Sequence, residues 1–256
     1  MQQWDIWLLQ AINGLAGHSR LFDLAVDTIL GIEAIRTLPL VLCIIWLWFD
    51  RDTREDRRQR LAQMMFGTFL ALAVARVTQN LMPFHPRPFV TPGLDLVTPY
   101  GFSEKRLHEW SSFPSDNAAL AFAMTVGLWR ASRPVGWFAL LWTLGAFCFP
   151  KVFAGMHYPS DIIAGAVIGW ASVLLVAWVL PPLASRPLVS AAMTGLRSRR
   201  WSRPAFYCAM FVVLFGIVTL FEDARHIARG AYEHLIGGED CVVEVRPVSA
   251  DSPDCQ

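Results

Sequence analysis

Apolar residues occur along the chain in long runs that short polar connectors separate. Each run approaches the roughly 20 residues that a helix needs to cross a bilayer. Six are recognised, at about 34–49, 62–82, 114–130, 134–150, 160–181 and 205–221. Charged residues make up only 17% of the chain, against about 25% in a typical soluble domain. The pattern predicts an all-α integral membrane protein built as a six-transmembrane-helix bundle, and it disfavours a large soluble helical protein.

The segment before the first run has a different pattern. It is amphipathic and contains several Asp residues, which suits helices that lie at a membrane surface. It has neither a basic start nor a small-residue cleavage site, so it is not predicted to be a signal peptide. We expect an interfacial segment at 1–33, a membrane domain at 34–222 and an outward-facing tail at 223–256. Cys241 and Cys255 lie in the tail, and whether they form a disulfide is left open.

Positive charge is concentrated in three connectors. The segment 51–60 contains five Arg, Arg130 and Arg133 flank the turn after the third run, and more Arg residues follow the fifth run. Short loops rich in Lys and Arg stay in the cytoplasm. We therefore expect the N-terminus, the loops at 83–113 and 151–159 and the tail to face outward. The net charge of +1 gives no reason to expect a nucleic acid partner.

Polar side chains gather at the run ends that are predicted to face outward. They lie in the stretches VTQNLMPFHPRPF (77–89), HEWSSFPSDNAAL (108–120) and KVFAGMHYPSD (151–161). The predicted topology places all three stretches at one membrane surface. We therefore expect a single cluster that contains Arg87, Ser115, Asp116, Asn117, Lys151, His157 and Asp161.

Two of these stretches contain Pro-Ser-Asp, which is typical of a helix start. Unpaired N–H groups at a helix start bind anions such as phosphate, and Arg87 and Lys151 would add positive charge. His157 and Asp161 have the pattern of a nucleophile or base with its orienting carboxylate. Pro-Ser-Asp alone is common as an ordinary helix cap, and a lone Arg or His is common at a hydrated membrane interface. Together, beside a membrane, they point to a lipid phosphate ester or anhydride as substrate.

The same stretches resemble the three signature blocks of the type-2 phosphatidic acid phosphatase superfamily. The blocks read K-x6-R-P, then P-S-G-H, then S-R-x5-H-x3-D. They correspond to 80–88, 114–117 and 150–161, in the same order and at the same spacing. The resemblance covers about residues 60–180, and HYPSD before a Gly-containing apolar helix is typical of bacterial members.

The resemblance implies a mechanism through a phosphohistidine. The third-block His attacks phosphorus and the third-block Asp orients it, which implies these roles for His157 and Asp161. The first-block Arg and second-block Ser hold the phosphoryl oxygens, which implies this role for Arg87 and Ser115. No cofactor and no metal is implied. Members act on phosphatidate, phosphatidylglycerol phosphate, polyprenyl diphosphates or lipid A. With the outward orientation that the Arg-rich connectors predict, we expect the site at the outer face of the bacterial inner membrane.

Four signature positions depart from the family pattern. Asn80 stands for the first-block Lys, and Lys151 for the third-block Arg, which loses the bidentate fork. Asp116 stands for Gly, and Asn117 for the second-block His that acts as general acid in the family. The phosphate-binding set that we expect from the sequence therefore contains Arg87, Ser115, Lys151, Asp116, Asn117 and Asn80.

The missing acid bears on the substrate, since general acid catalysis typically contributes about 10²–10⁴ in rate. A lipid alkoxide needs a proton to leave, whereas a phosphate monoester leaves a diphosphate as a stable anion. The sequence therefore predicts a preference for a diphosphate such as undecaprenyl diphosphate. His85 or His108 is an alternative source of the proton.

Two other functions stay open. One is a phosphotransferase that passes a phosphate or phospho-linked group to a lipid or glycan acceptor. The other is a catalytically impaired scaffold that binds lipid phosphates, although retention of His157 and Asp161 argues against it. Membrane lipids are expected partners. The sequence indicates neither protein partners nor an oligomeric state.

Overall fold

The computed structural model describes residues 3–50, 55–102 and 111–180, and this part of the chain is helical with no strand. The helices are α1 (Gln3–Asn13), α2 (Arg20–Gly31), α3 (Glu33–Phe49), α4 (Glu55–Leu81), α5 (Asp116–Ala131), α6 (Arg133–Trp142), α7 (Phe149–Phe153) and α8 (Pro159–Val179). A π-helical segment, Thr143–Cys148, joins α6 to α7, and a short 3-10 helix covers Pro88–Val90. The all-helical prediction is confirmed for the described residues.

Several described helices are suited to a membrane. Asp56–Leu81, Arg133–Phe153 and Pro159–Val179 are long and apolar enough to cross one, and α2 with α3 makes a fourth if that pair, bent by 66°, is taken as one span. Helix α5 has only 16 residues, because it begins after Ser115 and not at Pro114. The sixth predicted span and the tail with Cys241 and Cys255 lie outside the described residues.

Helices α4, α5 and α8 form the centre of the bundle. Small residues let α5 and α8 approach until their backbones touch, as is common between membrane helices. A Cβ added to Gly165 would lie 2.3 Å from the Ser115 carbonyl oxygen, and one added to Gly169 would lie 2.2 Å from that of Ala119. The contact places the start of α5 directly against the start of α8.

The two ends of the bundle carry different side chains. At one end, Arg57 pairs with Asp50 at 3.0 Å, and Arg60 donates a 2.6 Å hydrogen bond to the Arg130 carbonyl oxygen. At the other end, α4 and α7 finish and α5 and α8 begin. Arg57, Arg60 and Arg130, from the described parts of two Arg-rich connectors, therefore lie at the opposite end of the bundle from the signature blocks.

The N-terminal helices pack against the end of the bundle where α8 begins. The Asn13 side chain donates to the carbonyl oxygens of Val97 and Phe153, at 2.9 and 2.8 Å. The buried Asp23 carboxylate accepts hydrogen bonds from the N–H groups of Gly17 and Tyr100. Helices α1 and α2 are thus integral to this end of the fold, and their predicted location at a membrane surface stays a prediction.

Candidate active site

A main-chain hydrogen bond joins the two Pro-Ser-Asp turns. The Ser115 N–H donates to the Asp161 carbonyl oxygen at 3.1 Å. Each turn also caps its own helix, since Ser115 Oγ accepts from the Ala118 N–H and Asp161 Oδ2 accepts from the Tyr158 N–H. The helix starts that were predicted from sequence therefore lie side by side.

His157 occupies the short turn between α7 and α8 and is only 2% exposed. Its Nδ1 lies 2.9 Å from the Ser112 carbonyl oxygen and 3.5 Å from Asp161 Oδ2. A carbonyl oxygen can only accept, so Nδ1 carries the proton and Nε2 carries the lone pair. Nε2 lies 3.4 Å from Arg87 Nη1, a donor. The ring thus directs its lone pair toward a buried cation.

Burial is the main cause that lowers the pKa of His157 to about 4. The hydrogen bond and the charge of Asp161 raise this pKa, whereas the positive charges of Arg87 and Lys151 add to the lowering by burial. The imidazole is therefore neutral at neutral pH, and its Nε2 lone pair is available to an electrophile.

Two buried cations flank His157. Arg87 Nη1 donates to the Met156 carbonyl oxygen at 3.0 Å, and burial lowers the pKa of this guanidinium although Asp116 and Asp161 raise it. Lys151 is 3% exposed, and no hydrogen bond or ion pair holds its ammonium group within the described residues. The carboxylates of Asp116 and Glu33 act on this ammonium electrostatically, and a buried cation without a hydrogen-bond partner favours a bound anion.

Asp116, in the first turn of α5, pairs with an Arg that the sequence reading did not select. Its carboxylate forms an ion pair with Arg76 of α4 and accepts a 2.7 Å hydrogen bond from the Asn117 N–H. The available signal was a single Arg inside the apolar run 62–82, one helical turn before Asn80.

The predicted site residues do not all meet. Arg87, Ser115, Asp116, Asn117, Lys151, His157 and Asp161 lie at the same end of the bundle. Asn80 is exposed in the last turn of α4. Helix α4 rises about 6 Å between positions 76 and 80, so Asn80 lies beyond the level at which Arg76 meets α5.

Ser112 was also missed, because a backbone carbonyl leaves no signal in residue type. His85 contacts the Ser112 hydroxyl, with 2.8 Å between Nδ1 and Oγ. His108, the other candidate proton source, lies outside the described residues. Within the described ranges, no group of three or more His, Cys, Asp or Glu side chains could hold a metal ion, and we assign no residues to one.

Comparisons with known proteins agree on a family. The model of the PAP2 superfamily matches residues 60–184. Undecaprenyl-diphosphatase BcrC of Bacillus subtilis is 26% identical over 163 residues, which cover 63% of this chain and 76% of that protein. Bacitracin transport permease protein BcrC of Bacillus licheniformis is 30% identical over 150 residues, which cover 56% and 66% of the two chains.

A solved structure shares the fold. The crystal structure of Aquifex aeolicus LpxE matches with a TM-score of 0.51 at 20% identity, covering 66% of this chain and 92% of that one. The matched family segment contains the ends of α4 and α7 and the starts of α5 and α8, where His157 and Arg87 meet. Residues 60–184, which contain the three signature blocks and membrane-compatible helices, are similar to the PAP2 superfamily.

Proposed function

We propose that this protein is a lipid phosphatase that hydrolyses a lipid diphosphate, undecaprenyl diphosphate in particular, through a phosphohistidine. The observation that carries the proposal is the state of His157. The ring is buried and neutral, Nδ1 is bonded to a carbonyl, and Nε2 faces Arg87. An imidazole held in this tautomer presents one nucleophilic nitrogen to a phosphoryl group beside a cation.

The reaction proceeds in two displacements. His157 Nε2 attacks the terminal phosphorus, the P–O bond to the leaving group breaks, and its electron pair stays on the leaving lipid phosphate. Water then attacks the phosphohistidine, the P–N bond breaks, and inorganic phosphate leaves while the electron pair returns to Nε2. Asp161, 3.5 Å from Nδ1, stabilises the positive ring charge that forms in the first step.

The remaining residues bind the phosphoryl oxygens. Arg87 and Lys151 supply positive charge, and the Ser115 hydroxyl and the Asn117 side-chain amide can donate from the start of α5. The N–H groups of Ser115 and Asn117 are already bonded, to the Asp161 carbonyl oxygen and to the Asp116 carboxylate. Asp116 keeps Arg76 beside this helix start through their ion pair. Asn80 is exposed in the last turn of α4, and the proposed phosphate-binding set does not contain it.

The substrate preference follows from Asn117. Amide side chains do not donate a proton to a leaving alkoxide, so a monoester is expected to react slowly. A diphosphate releases a stable anion and depends less on an acid. The name of the Bacillus subtilis relative, an undecaprenyl-diphosphatase, supports this choice of lipid.

The proposal includes a location and a topology. The protein crosses the inner membrane of a bacterium six times, and the site opens at the periplasmic or outer face. Segment 1–33 lies at the membrane surface, 34–222 forms the membrane domain and 223–256 faces outward. No metal takes part. The Arg-rich end of the bundle, with Arg57 and Arg60, supports this orientation.

Phosphate release by the purified, detergent-solubilised protein tests the proposal. Undecaprenyl diphosphate and phosphatidate are offered in parallel to the wild type, to His157→Ala and to His18→Ala, which changes an exposed His in the loop between α1 and α2. We expect release from the diphosphate that vanishes in His157→Ala and persists in His18→Ala.

Two other results would assign a different function to the protein. A phosphohistidine that forms without phosphate release until a lipid or glycan acceptor is added would make the protein a phosphotransferase. Lipid binding without a phosphohistidine would make it a scaffold. Equal or faster turnover of phosphatidate would contradict the diphosphate preference alone.

A further inference from the structure

We propose that His85 is a positioning residue for the nucleophile and that it acts through Ser112. The inference rests on the proposed function, because it assigns His157 as the nucleophile. His85 lies within the first signature block, two positions before Arg87, but the signature does not specify the residue type at this position.

Three hydrogen bonds join His85 to the segment that precedes α5. His85 Nδ1 and Ser112 Oγ share a hydrogen bond at 2.8 Å. The Ser112 N–H donates to the His85 carbonyl oxygen at 2.9 Å, and the His85 N–H donates to Ser111 Oγ at 3.2 Å. Side chain and backbone of Ser112 are therefore both held by the same residue.

Ser112 in turn holds the nucleophile. Its carbonyl oxygen accepts the 2.9 Å hydrogen bond from His157 Nδ1, and the residue is completely buried. Asp161 Oδ2 is farther from Nδ1, at 3.5 Å, and already accepts a 2.8 Å hydrogen bond from the Tyr158 N–H. The peptide of Ser112 is thus the nearer orienting group for the imidazole.

The His85 ring also contacts the residue that follows the nucleophile. Its centroid lies 5.3 Å from that of Tyr158 in an edge-on arrangement, a geometry that aromatic pairs favour. Tyr158 begins the turn that leads into α8. His85 therefore restrains His157 from two directions, through the Ser112 carbonyl and through Tyr158.

This geometry assigns His85 a positioning role and not that of the missing acid. His85 reaches His157 from the Nδ1 side, whereas the substrate phosphorus must approach Nε2 on the Arg87 side. A leaving group that departs in line with Nε2 is on the far side of the substrate from His85.

The test is a double-mutant cycle on kinetics. His85→Ala removes the ring, and Ser112→Ala removes the hydroxyl but keeps the carbonyl that accepts from His157. We expect each variant to lower kcat and the rate of phosphohistidine formation about 10- to 100-fold with KM nearly unchanged, because small misplacements of a reacting group cost rates of this order. The double variant should be no slower than the slower single variant, because the hydrogen bond that Ser112→Ala removes is already lost in His85→Ala.

Two further variants keep the result interpretable. His85→Asn places an amide where Nδ1 lies and should recover most of the lost rate. His18→Ala, an exposed His that only approaches a backbone carbonyl, should behave as wild type. Monodispersity and thermal unfolding in detergent exclude variants that do not fold.

The outcomes separate this inference from the function on which it rests. An active wild type with unchanged kcat in His85→Ala overturns the inference alone, and so do additive losses in the double variant. A higher KM at constant kcat also overturns it, because that pattern indicates substrate binding. A wild type that forms no phosphohistidine overturns the proposed function and the inference together.

Discussion

Both oxygens of the Asp5 carboxylate accept hydrogen bonds from Ser160. The Ser160 N–H donates at 2.9 Å and its hydroxyl at 2.6 Å, across a sequence separation of 155 residues. Asp5 is 3% exposed, and Ser160 lies in the first turn of α8, beside Asp161. Helix α1 thus supplies an N-terminal cap to the helix that carries the candidate catalytic carboxylate.

Replacing this cap should destabilise the protein. Asp5→Ala leaves the Ser160 N–H and hydroxyl without their acceptor, and losing such a cap typically costs about 0.5–2 kcal/mol. We expect a lower thermal midpoint in detergent together with a lower kcat. Gln3→Ala, an exposed change on the same helix, is the control and should match wild type. Equal stability of Asp5→Ala and the control would show that the cap does not contribute to stability.

The close approach of α5 and α8 predicts a sharp size limit at Gly165. An Ala there places Cβ 2.3 Å from the Ser115 carbonyl oxygen, so the helices must separate. Such overpacking typically costs about 1–3 kcal/mol, and we expect phosphate release to fall with stability. Gly145→Ala is the matched control, because a Cβ there meets nothing within 4 Å. Indistinguishable unfolding curves for the two variants would refute the close approach.

The Arg76–Asp116 pair should show strong energetic coupling. Arg76→Gln leaves the buried Asp116 carboxylate with fewer partners, at an expected cost of about 1–3 kcal/mol. Adding Asp116→Asn removes the charge that lost its partner, so the double variant should be more stable than Arg76→Gln. Thermal unfolding of the four proteins measures the coupling, and simple additivity of the two changes would contradict it.

The acid titration of His157 should occur well below that of an ordinary histidine. Its pKa of about 4 means that the ring stays neutral from neutral pH down to about pH 5. Below its pKa, the neutral nucleophile decreases about tenfold per pH unit. NMR of protein with labelled histidine, with His157→Ala used to assign the signal, measures this pKa directly. A midpoint between 6 and 7 would disagree with the burial of the ring.

The same shift has a consequence for stability. In the unfolded chain His157 takes up a proton near pH 6.5, whereas in the folded protein it does so only near pH 4. Between these values the unfolded state binds more protons, so this group lowers stability as pH falls through that interval. His157→Ala should therefore show a shallower loss of thermal stability between pH 6.5 and 4 than wild type.

Restoring an acid should broaden the substrate range. Asn117→His introduces the second-block residue of the family at a half-buried position in the first turn of α5. We expect kcat/KM for phosphatidate to rise by more than that for undecaprenyl diphosphate, up to the 10²–10⁴ typical of general acid catalysis. Comparing both substrates in wild type and variant measures the ratio. An equal rise in kcat/KM for both substrates would contradict the proposal that the leaving group decides how much the acid is needed.

Much of the architecture could be read from the sequence. Long apolar runs at 62–82, 134–150 and 160–181 predicted the helices that the structure has at Glu55–Leu81, Arg133–Phe153 and Pro159–Val179. The signature blocks placed Arg87 near His157. The helices depend on local pattern, which a single sequence records directly, whereas the meeting of Arg87 and His157 was expected from the family resemblance and the predicted topology.

Contacts between distant elements could not be predicted. Arg76 reads as one polar residue in an apolar helix until Asp116 of another helix lies against it. Asp5 looks like part of an amphipathic surface helix, yet Ser160 buries it. The orienting group of His157 is a main-chain oxygen of Ser112, which residue type does not encode. In each case tertiary packing decides what the side chain does.

The hydrogen bond from Ser115 to Asp161 means that the second and third signature blocks share one anchor. Exchanging either block alone with that of a relative would combine an α5 start and an α8 start shaped for different partners. Gly165 strengthens this restriction, because its missing Cβ is the space that the Ser115 carbonyl occupies. A functional chimera should therefore require both turns and Gly165 to be transferred together, as a single structural unit.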